Sequence, residues 1–106
     1  MVKVAMFVRL EVKSGKEADM EKLLCSGLNL VLEEGTTPVW FSLRIGPSTF
    51  GIFDAFLDEE GRQSHLAGPI ASALMKQAKD LLKEPPLIEM MDVLAAKFPR
   101  KQAEKK

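Results

Sequence analysis

A chain of 106 residues with 46% hydrophobic and 28% charged side chains has the size and composition of one soluble globular domain. Its 15 basic and 15 acidic residues balance, which argues against a nucleic-acid partner, because such a surface needs a basic excess. A single Cys excludes an internal disulfide framework and favours a reducing cytoplasm. The sequence shows no signal-peptide pattern and no apolar run long enough for a bilayer, so no membrane partner is expected.

The first predicted element is a β-strand over residues 2–12. Apolar side chains occupy every even position from Val2 to Val12, which is the period of two that a strand requires. The odd positions mix charged residues with Ala5 and Phe7. A mixed second face suits a sheet that is partly covered by a partner.

A helix is predicted next, with a capping box formed by Ser14 and Glu17 and a C-terminal cap at Gly35. Cys25, inside this helix, is expected to be a small buried residue. The apolar stripe is expected at helical spacing on these residues: Ala18, Leu23, Leu24, Leu28 and Val31.

Two more strands, residues 39–45 and 50–56, flank a short turn and predict a hairpin. Asp58 is predicted to cap a short helix over residues 59–66, and Pro69 to begin a second helical segment that runs to about Lys83.

Pro85-Pro86 blocks any continuation of that helix, and residues 87–94 are predicted as the last strand. The order β-α-β-β-α-β predicts an α+β, ferredoxin-like fold. Its four-stranded antiparallel sheet is expected in the order 4-1-3-2, with the helices on one face.

His65 is the first candidate for chemistry, because an imidazole titrates near pH ~6.5 and can serve as a general base toward a phenol. The alternative is a half-buried helix histidine with a backbone partner. Asp54 lies in the middle of an apolar strand, where a carboxylate needs a partner such as Arg9 or Arg44. Asp54 or Arg9 could orient a polar substrate group, or the two could form a structural cross-strand ion pair.

Aromatic residues cluster between positions 40 and 56 and could stack against a small aromatic ligand, or simply pack in the core and at an interface. We expect His65 to border an apolar cavity between sheet and helices whose walls include some of the candidate substrate-binding residues Phe41, Phe53, Phe56 and Leu74. The sequence has no metal-ligand spacing and no Gly-rich phosphate loop, so neither a metal nor a cofactor is expected.

The strand end Phe53-Asp54-Ala55-Phe56, the acidic turn Asp58-Glu59-Glu60 and the helix pair His65-Leu66 resemble the antibiotic biosynthesis monooxygenase family. Residues 8–17 and 84–89 resemble the family's first strand with its helix start and the lead into its last strand. The resemblance covers roughly residues 2–96 and implies a dimeric α+β barrel, in which two sheets pack face to face as a homodimer. Residues 97–106 then form a basic tail that is expected to be frayed.

The resemblance also implies a function: a cofactor-independent monooxygenase, which deprotonates a small phenolic or quinol substrate so that its carbanion reduces dioxygen. The heme-degrading branch of the family has Asn, Trp and His at positions that match Val8, His65 and Met75, so heme degradation is not expected. The aromatic-polyketide branch uses a Tyr, and this chain has none. The alternatives are a non-catalytic ligand-binding or stress-related dimer and an isomerase of small carbonyl compounds on the same fold.

Overall fold

The computed structural model describes residues 1–99, in which four strands form one antiparallel sheet. The strands are β1 (Val4–Glu11), β2 (Val39–Arg44), β3 (Thr49–Phe56) and β4 (Leu87–Asp92). Their order across the sheet is β2-β3-β1-β4, which confirms the predicted order 4-1-3-2. The expected ferredoxin-like α+β fold is therefore the observed one.

Three helices, α1 (Glu17–Val31), α2 (Glu59–Leu66) and α3 (Pro69–Leu81), connect the strands. Asp58 caps α2 as predicted, because its Oδ1 accepts a hydrogen bond from the Gly61 backbone N–H at 2.9 Å. Pro69 stands at the start of α3, where its missing N–H costs nothing. Within residues 1–99 no helix is long and apolar enough to cross a membrane.

Both predicted caps of α1 are wrong. Ser14 does not cap the helix; the chain turns at Gly15, whose φ of +89° favours glycine, and α1 begins only after Lys16. Glu17 does accept from the Gly15 N–H, but its other oxygen binds the Ser48 hydroxyl. The helix ends at Val31, short of Gly35.

The core lies between the helices and one face of the sheet, which we call the helix-covered face. The even positions of β1 point into it as predicted, and Phe50, Ile52 and Phe56 of β3 join them. The buried stripe of α1 is shifted from the prediction: Leu28 and Cys25 are exposed, and the buried residues are Met20, Leu24, Gly27 and Val31. A Cβ on Gly27 would stand 2.5 Å from Ile70 Cδ1, so this glycine allows α1 and α3 to approach closely.

Within residues 1–99 no helix lies over the opposite side of the sheet, which we call the open face. Ala5 and Ala55 are buried there, but Phe41 is 55% exposed and Leu87 56% exposed. The predicted tail begins at Lys97, and its residues 100–106 lie outside the described part of the chain.

Candidate functional site

An apolar cavity of about 110 Å³ lies on the helix-covered face, between the sheet and α3. Most of its wall is aliphatic, from Met6, Val8, Ile52, Ile70, Leu74 and Ile88. Only three polar side chains line it within residues 1–99: Trp40, Asp54 and His65. The volume approaches that of a ~150 Å³ protein cavity that binds benzene, so a single ring is the size of ligand that fits.

Asp54 and His65 meet at the inner wall of this cavity. Asp54 is on β3 at the same parity as Ile52 and Phe56, so its carboxylate points to the helix-covered face and is 0% exposed. His65, on the last turn of α2, is 5% exposed, and its Nε2 lies 2.9 Å from Asp54 Oδ2. The N–H direction is too oblique for an aligned hydrogen bond, but the attraction between the charges acts at this distance without alignment.

Glu34 holds the other side of the imidazole. His65 Nδ1 lies 2.5 Å from Glu34 Oε1, and the Thr37 hydroxyl donates to the same oxygen at 2.9 Å. Glu34 is in the turn after α1, where its N–H binds the Val31 carbonyl and its own carbonyl accepts from the Thr37 N–H. The imidazole is therefore fixed between two carboxylates that come from different parts of the fold.

This arrangement changes the proton affinity of His65. Burial is the largest influence and lowers the pKa, since it disfavours the charged ring. The contacts with Asp54 and then Glu34 favour the charged ring, and together they raise the pKa of His65 above its ordinary 6.5. The imidazole of His65 therefore keeps its proton to a higher pH than an ordinary histidine does.

Helix α2 brings His65 to this position through contacts at both of its ends. At its start, Asp58 caps the helix. Arg62, one turn before His65, donates from Nη1 to the carbonyls of Ala5 at 3.0 Å and Met91 at 3.4 Å, which ties α2 to β1 and β4. Phe56 packs beside the imidazole with ring centroids 5.4 Å apart.

Two polar groups on the cavity wall have no hydrogen-bond partner within the described residues. They are the Asp54 carboxylate, including Oδ1 on the side away from the ion pair, and the indole Nε1–H of Trp40. Buried polar atoms are nearly always paired in native proteins, so these atoms are available to a bound ligand or an ordered water.

The structure brings together only some of the predicted site residues. His65, Asp54 and Leu74 line the cavity, and Phe56 supports His65 from the core without lining it. Arg9 is not near the cavity: its guanidinium pairs with Glu11 at 2.9 Å on the open face.

Phe41 and Phe53 are also placed elsewhere. They are cross-strand partners, and their odd positions put both on the open face, where they border a groove with Phe98. The physical reason is strand parity, since Phe53 and Asp54 are neighbours in β3 and must point to opposite sides. Arg44 does not reach Asp54 either, because it pairs with Glu21 and its guanidinium lies over the Phe50 ring.

Glu34 and Thr37 were not among the predicted site residues, and Trp40 was considered only as one of the aromatic residues that could stack against a ligand. Trp40 had a usable signal, since it stands opposite Asp54 in the predicted hairpin and shares its parity. Glu34 and Thr37 had none, because they follow a helix whose end was predicted too late.

The two carboxylates and the imidazole do not point toward a common centre where a metal ion could bind. Glu34 and Asp54 lie at opposite nitrogens of the ring, so their oxygens point at His65. Within residues 1–99 no cluster of three or more His, Cys, Asp or Glu side chains is placed to hold a metal ion.

The overall structure is very similar to solved structures. The NE2512 protein of Nitrosomonas europaea, described as of unknown function, is 56% identical to this chain, with a TM-score of 0.92 over 94% of this chain and 97% of that one. The chain belongs to the same protein family as NE2512. No protein-family profile matches the sequence, and no curated protein matches it.

More distant structures share the fold at low identity. Rv0793 of Mycobacterium tuberculosis has a TM-score of 0.79 at 15% identity, over 89% of this chain and 97% of that one. A second Nitrosomonas europaea protein, provisionally named an antibiotic biosynthesis monooxygenase, also has a TM-score of 0.79 at 15% identity, over 87% and 99%. The resemblance to the antibiotic biosynthesis monooxygenase family is thereby confirmed, and it is a likeness of fold.

Proposed function

We propose that the chain is a cofactor-independent monooxygenase that acts on a small phenolic or quinol substrate. The observation that carries the proposal is the fully buried carboxylate of Asp54, which faces an apolar cavity with one oxygen unpaired and the other 2.9 Å from His65. The use of dioxygen without a cofactor is what the family resemblance implies. The cavity size favours a single-ring substrate.

The first step is removal of a phenolic proton by the Asp54–His65 pair. When His65 is neutral, Nδ1–H donates to Glu34, and the unprotonated Nε2 lies 2.9 Å from Asp54 Oδ2. The two groups then share a strong affinity for one proton. A phenolic hydroxyl beside Asp54 Oδ1 donates its proton to that oxygen, so the Asp54–His65 pair then holds one proton. Glu34 keeps the imidazole in place through its contact with Nδ1.

The second step is oxidation of the phenolate carbanion by dioxygen. One electron passes from the ring to dioxygen, and the two radicals combine in a new C–O bond to give a peroxide anion. This anion takes the proton back from the Asp54–His65 pair, and the hydroperoxide then loses water, with the hydrogen of the same ring carbon, to leave a quinone. One phenol and one dioxygen thus give one quinone and one water. The aliphatic wall contributes by keeping bulk water from the anion.

The test is dioxygen uptake by the purified chain with a panel of single-ring phenols and quinols. We expect one dioxygen consumed per quinone formed, and a large loss of rate in Asp54→Asn. Asp92→Asn is the matched control, because Asp92 is an exposed carboxylate on the same sheet. Absence of uptake with every substrate, or full activity in Asp54→Asn, contradicts the proposal.

An isomerase is the second candidate, because the same unpaired oxygen of Asp54 can accept a proton from a carbon next to a carbonyl. Its substrate would exchange that proton with deuterium from solvent and consume no dioxygen. Exchange without uptake therefore selects the isomerase, and uptake selects the monooxygenase.

We further propose that two copies of the chain pair through their open faces. Phe41, Leu43 and Leu87 are each at least 40% exposed there, and an apolar sheet face of this extent needs cover. The interface should exceed about 1,200 Å² in total, the size of a stable dimer. A monomer mass by light scattering at micromolar concentration contradicts this pairing.

The domain limits and the compartment are proposals of the same kind. We take residues 2–96 as the folding unit, since β1 and β4 lie within it. The free, exposed thiol of Cys25 suits a reducing cytoplasm.

A further inference from the structure

The two unpaired polar groups of the cavity are neighbours. Trp40 on β2 and Asp54 on β3 are directly opposite in the strand register, and both point to the helix-covered face. Side chains at such positions start about 5 Å apart at Cβ. A donor without an acceptor, the indole Nε1–H, therefore lies on the same stretch of wall as an acceptor without an aligned donor, the Asp54 carboxylate.

A ligand has to displace any water that bridges these two groups, and it does so without loss of affinity only if it reproduces both hydrogen bonds. Leaving a buried donor and a buried acceptor unpaired costs the full desolvation of each group. A ligand that supplies both partners recovers that cost on binding, whereas a ligand that supplies only one leaves half of it in place.

Resting on the proposed function, we propose that the cavity selects a single ring with two oxygen substituents. One is a hydroxyl that donates to Asp54, and the other is an oxygen that accepts from Trp40 Nε1. The substrate class is then a benzenediol or a hydroxyaryl carbonyl compound, in preference to a plain phenol.

The charges around the cavity also restrict which ligands it can bind. No Lys or Arg lines the cavity within the described residues, and the imidazole of His65 stands between two carboxylates. A carboxylate or phosphate on the ligand would thus meet net negative charge in a low-dielectric site, which is unfavourable. The second oxygen is therefore expected on a neutral group.

The experiment is equilibrium binding by calorimetry without dioxygen, with the three benzenediol isomers as probes. Each diol is paired with the cresol that has a methyl group in place of the second hydroxyl, since the two groups are similar in size. We expect at least one diol to bind the native chain roughly 5- to 100-fold more tightly than its cresol. In Trp40→Phe, which removes the N–H and keeps an aromatic ring, this preference should disappear.

Three results contradict the inference: cresols that bind at least as tightly as their diols, a diol preference that survives in Trp40→Phe, or no binding by any diol. If Trp40→Phe does not fold, the native chain provides a second comparison. A methoxyphenol, whose methoxy oxygen can accept a hydrogen bond but cannot donate one, should bind more tightly than the ethylphenol with the same ring positions substituted. Equal affinities of that pair contradict a donor at Trp40.

The binding experiment and the dioxygen-uptake experiment test two separate proposals. A diol preference without any dioxygen uptake refutes the proposed monooxygenase and leaves the cavity's selectivity in place. Dioxygen uptake with plain phenols and no diol preference refutes the selectivity and leaves the monooxygenase in place.

Discussion

The two faces of the sheet differ in what they do with the same strands. On β3, Asp54 points to the helix-covered face and meets His65 in an apolar cavity, whereas its neighbour Phe53 points to the open face and meets Phe41. The first face holds two carboxylates around one imidazole, all nearly buried. The second presents exposed aromatic and aliphatic side chains.

Neighbouring residues of one strand point to opposite faces, so the proposed chemistry and the proposed pairing of chains lie on opposite sides of the same strands. Alternation of side chains lets a strand of eight residues serve both purposes without a separate domain. A substitution on one face should therefore change proton transfer or ligand binding, and a substitution on the other should change pairing of the chains.

The largest expected effect is on turnover. Asp54→Asn should lower kcat with an active phenol by about 10²- to 10⁴-fold, because the amide cannot accept the substrate proton. The measurement is initial-rate dioxygen uptake. Asp92→Asn should stay within about twofold of the native rate; an equal loss in both variants would mean that the effect is not specific to the cavity.

A second prediction concerns the open face. Leu43→Glu should weaken pairing of two chains by roughly 10- to 100-fold, because it buries a charge in an apolar contact. Sedimentation equilibrium measures the change. Leu32→Glu is the control, since Leu32 is an exposed leucine at the end of α1, away from that face. Equal behaviour of the two variants would place the contact elsewhere.

The sequence predicted the sheet and its two faces well, because alternation over residues 2–12 and the hairpin at 39–56 are local patterns. It also predicted Asp54 and His65, since a carboxylate in an aromatic strand and a sole histidine stand out. It misplaced Phe41 and Phe53, although parity with Asp54 would have put Phe53 on the other side. Glu34 could not be predicted, because its contact with His65 spans 31 residues and depends on where α1 ends.

A third prediction uses pH. The raised pKa of His65 stabilises the folded chain fully below pH ~6.5, and this contribution is lost as the pH rises through the folded pKa. This contribution to the unfolding free energy is about 1.4 kcal/mol for each unit by which the folded pKa exceeds 6.5. Urea unfolding should show that the unfolding free energy of the native chain declines between about pH 6 and 9. This decline should be absent in His65→Gln.

Turnover should change in the opposite direction over the same pH range, because the Asp54–His65 pair accepts a proton only after it has lost its own. The rate should therefore rise with pH through the pKa at which stability falls. Rates that fall as the pH rises through this pKa would show that the charged imidazole is the active form, contrary to the proposed step.

The smallest expected effect compares two predicted helix caps. Asp58→Ala should cost about 1 kcal/mol of unfolding free energy, because the Gly61 N–H loses its acceptor. Ser14→Ala should cost less than about 0.5 kcal/mol, because Ser14 does not cap α1. Chemical denaturation of both variants measures the difference, and equal costs would contradict the assigned caps.

The most direct test of the central claim is an NMR titration of the imidazole, which is simple because the chain has one histidine. We expect a pKa for His65 above 6.5 in the native chain, a lower pKa in Asp54→Asn, and a shift of the ring resonances when a benzenediol binds. A pKa at or below 6.5 that does not respond to Asp54→Asn or to ligand would contradict it, because His65 would then be neither held by the carboxylates nor part of the cavity.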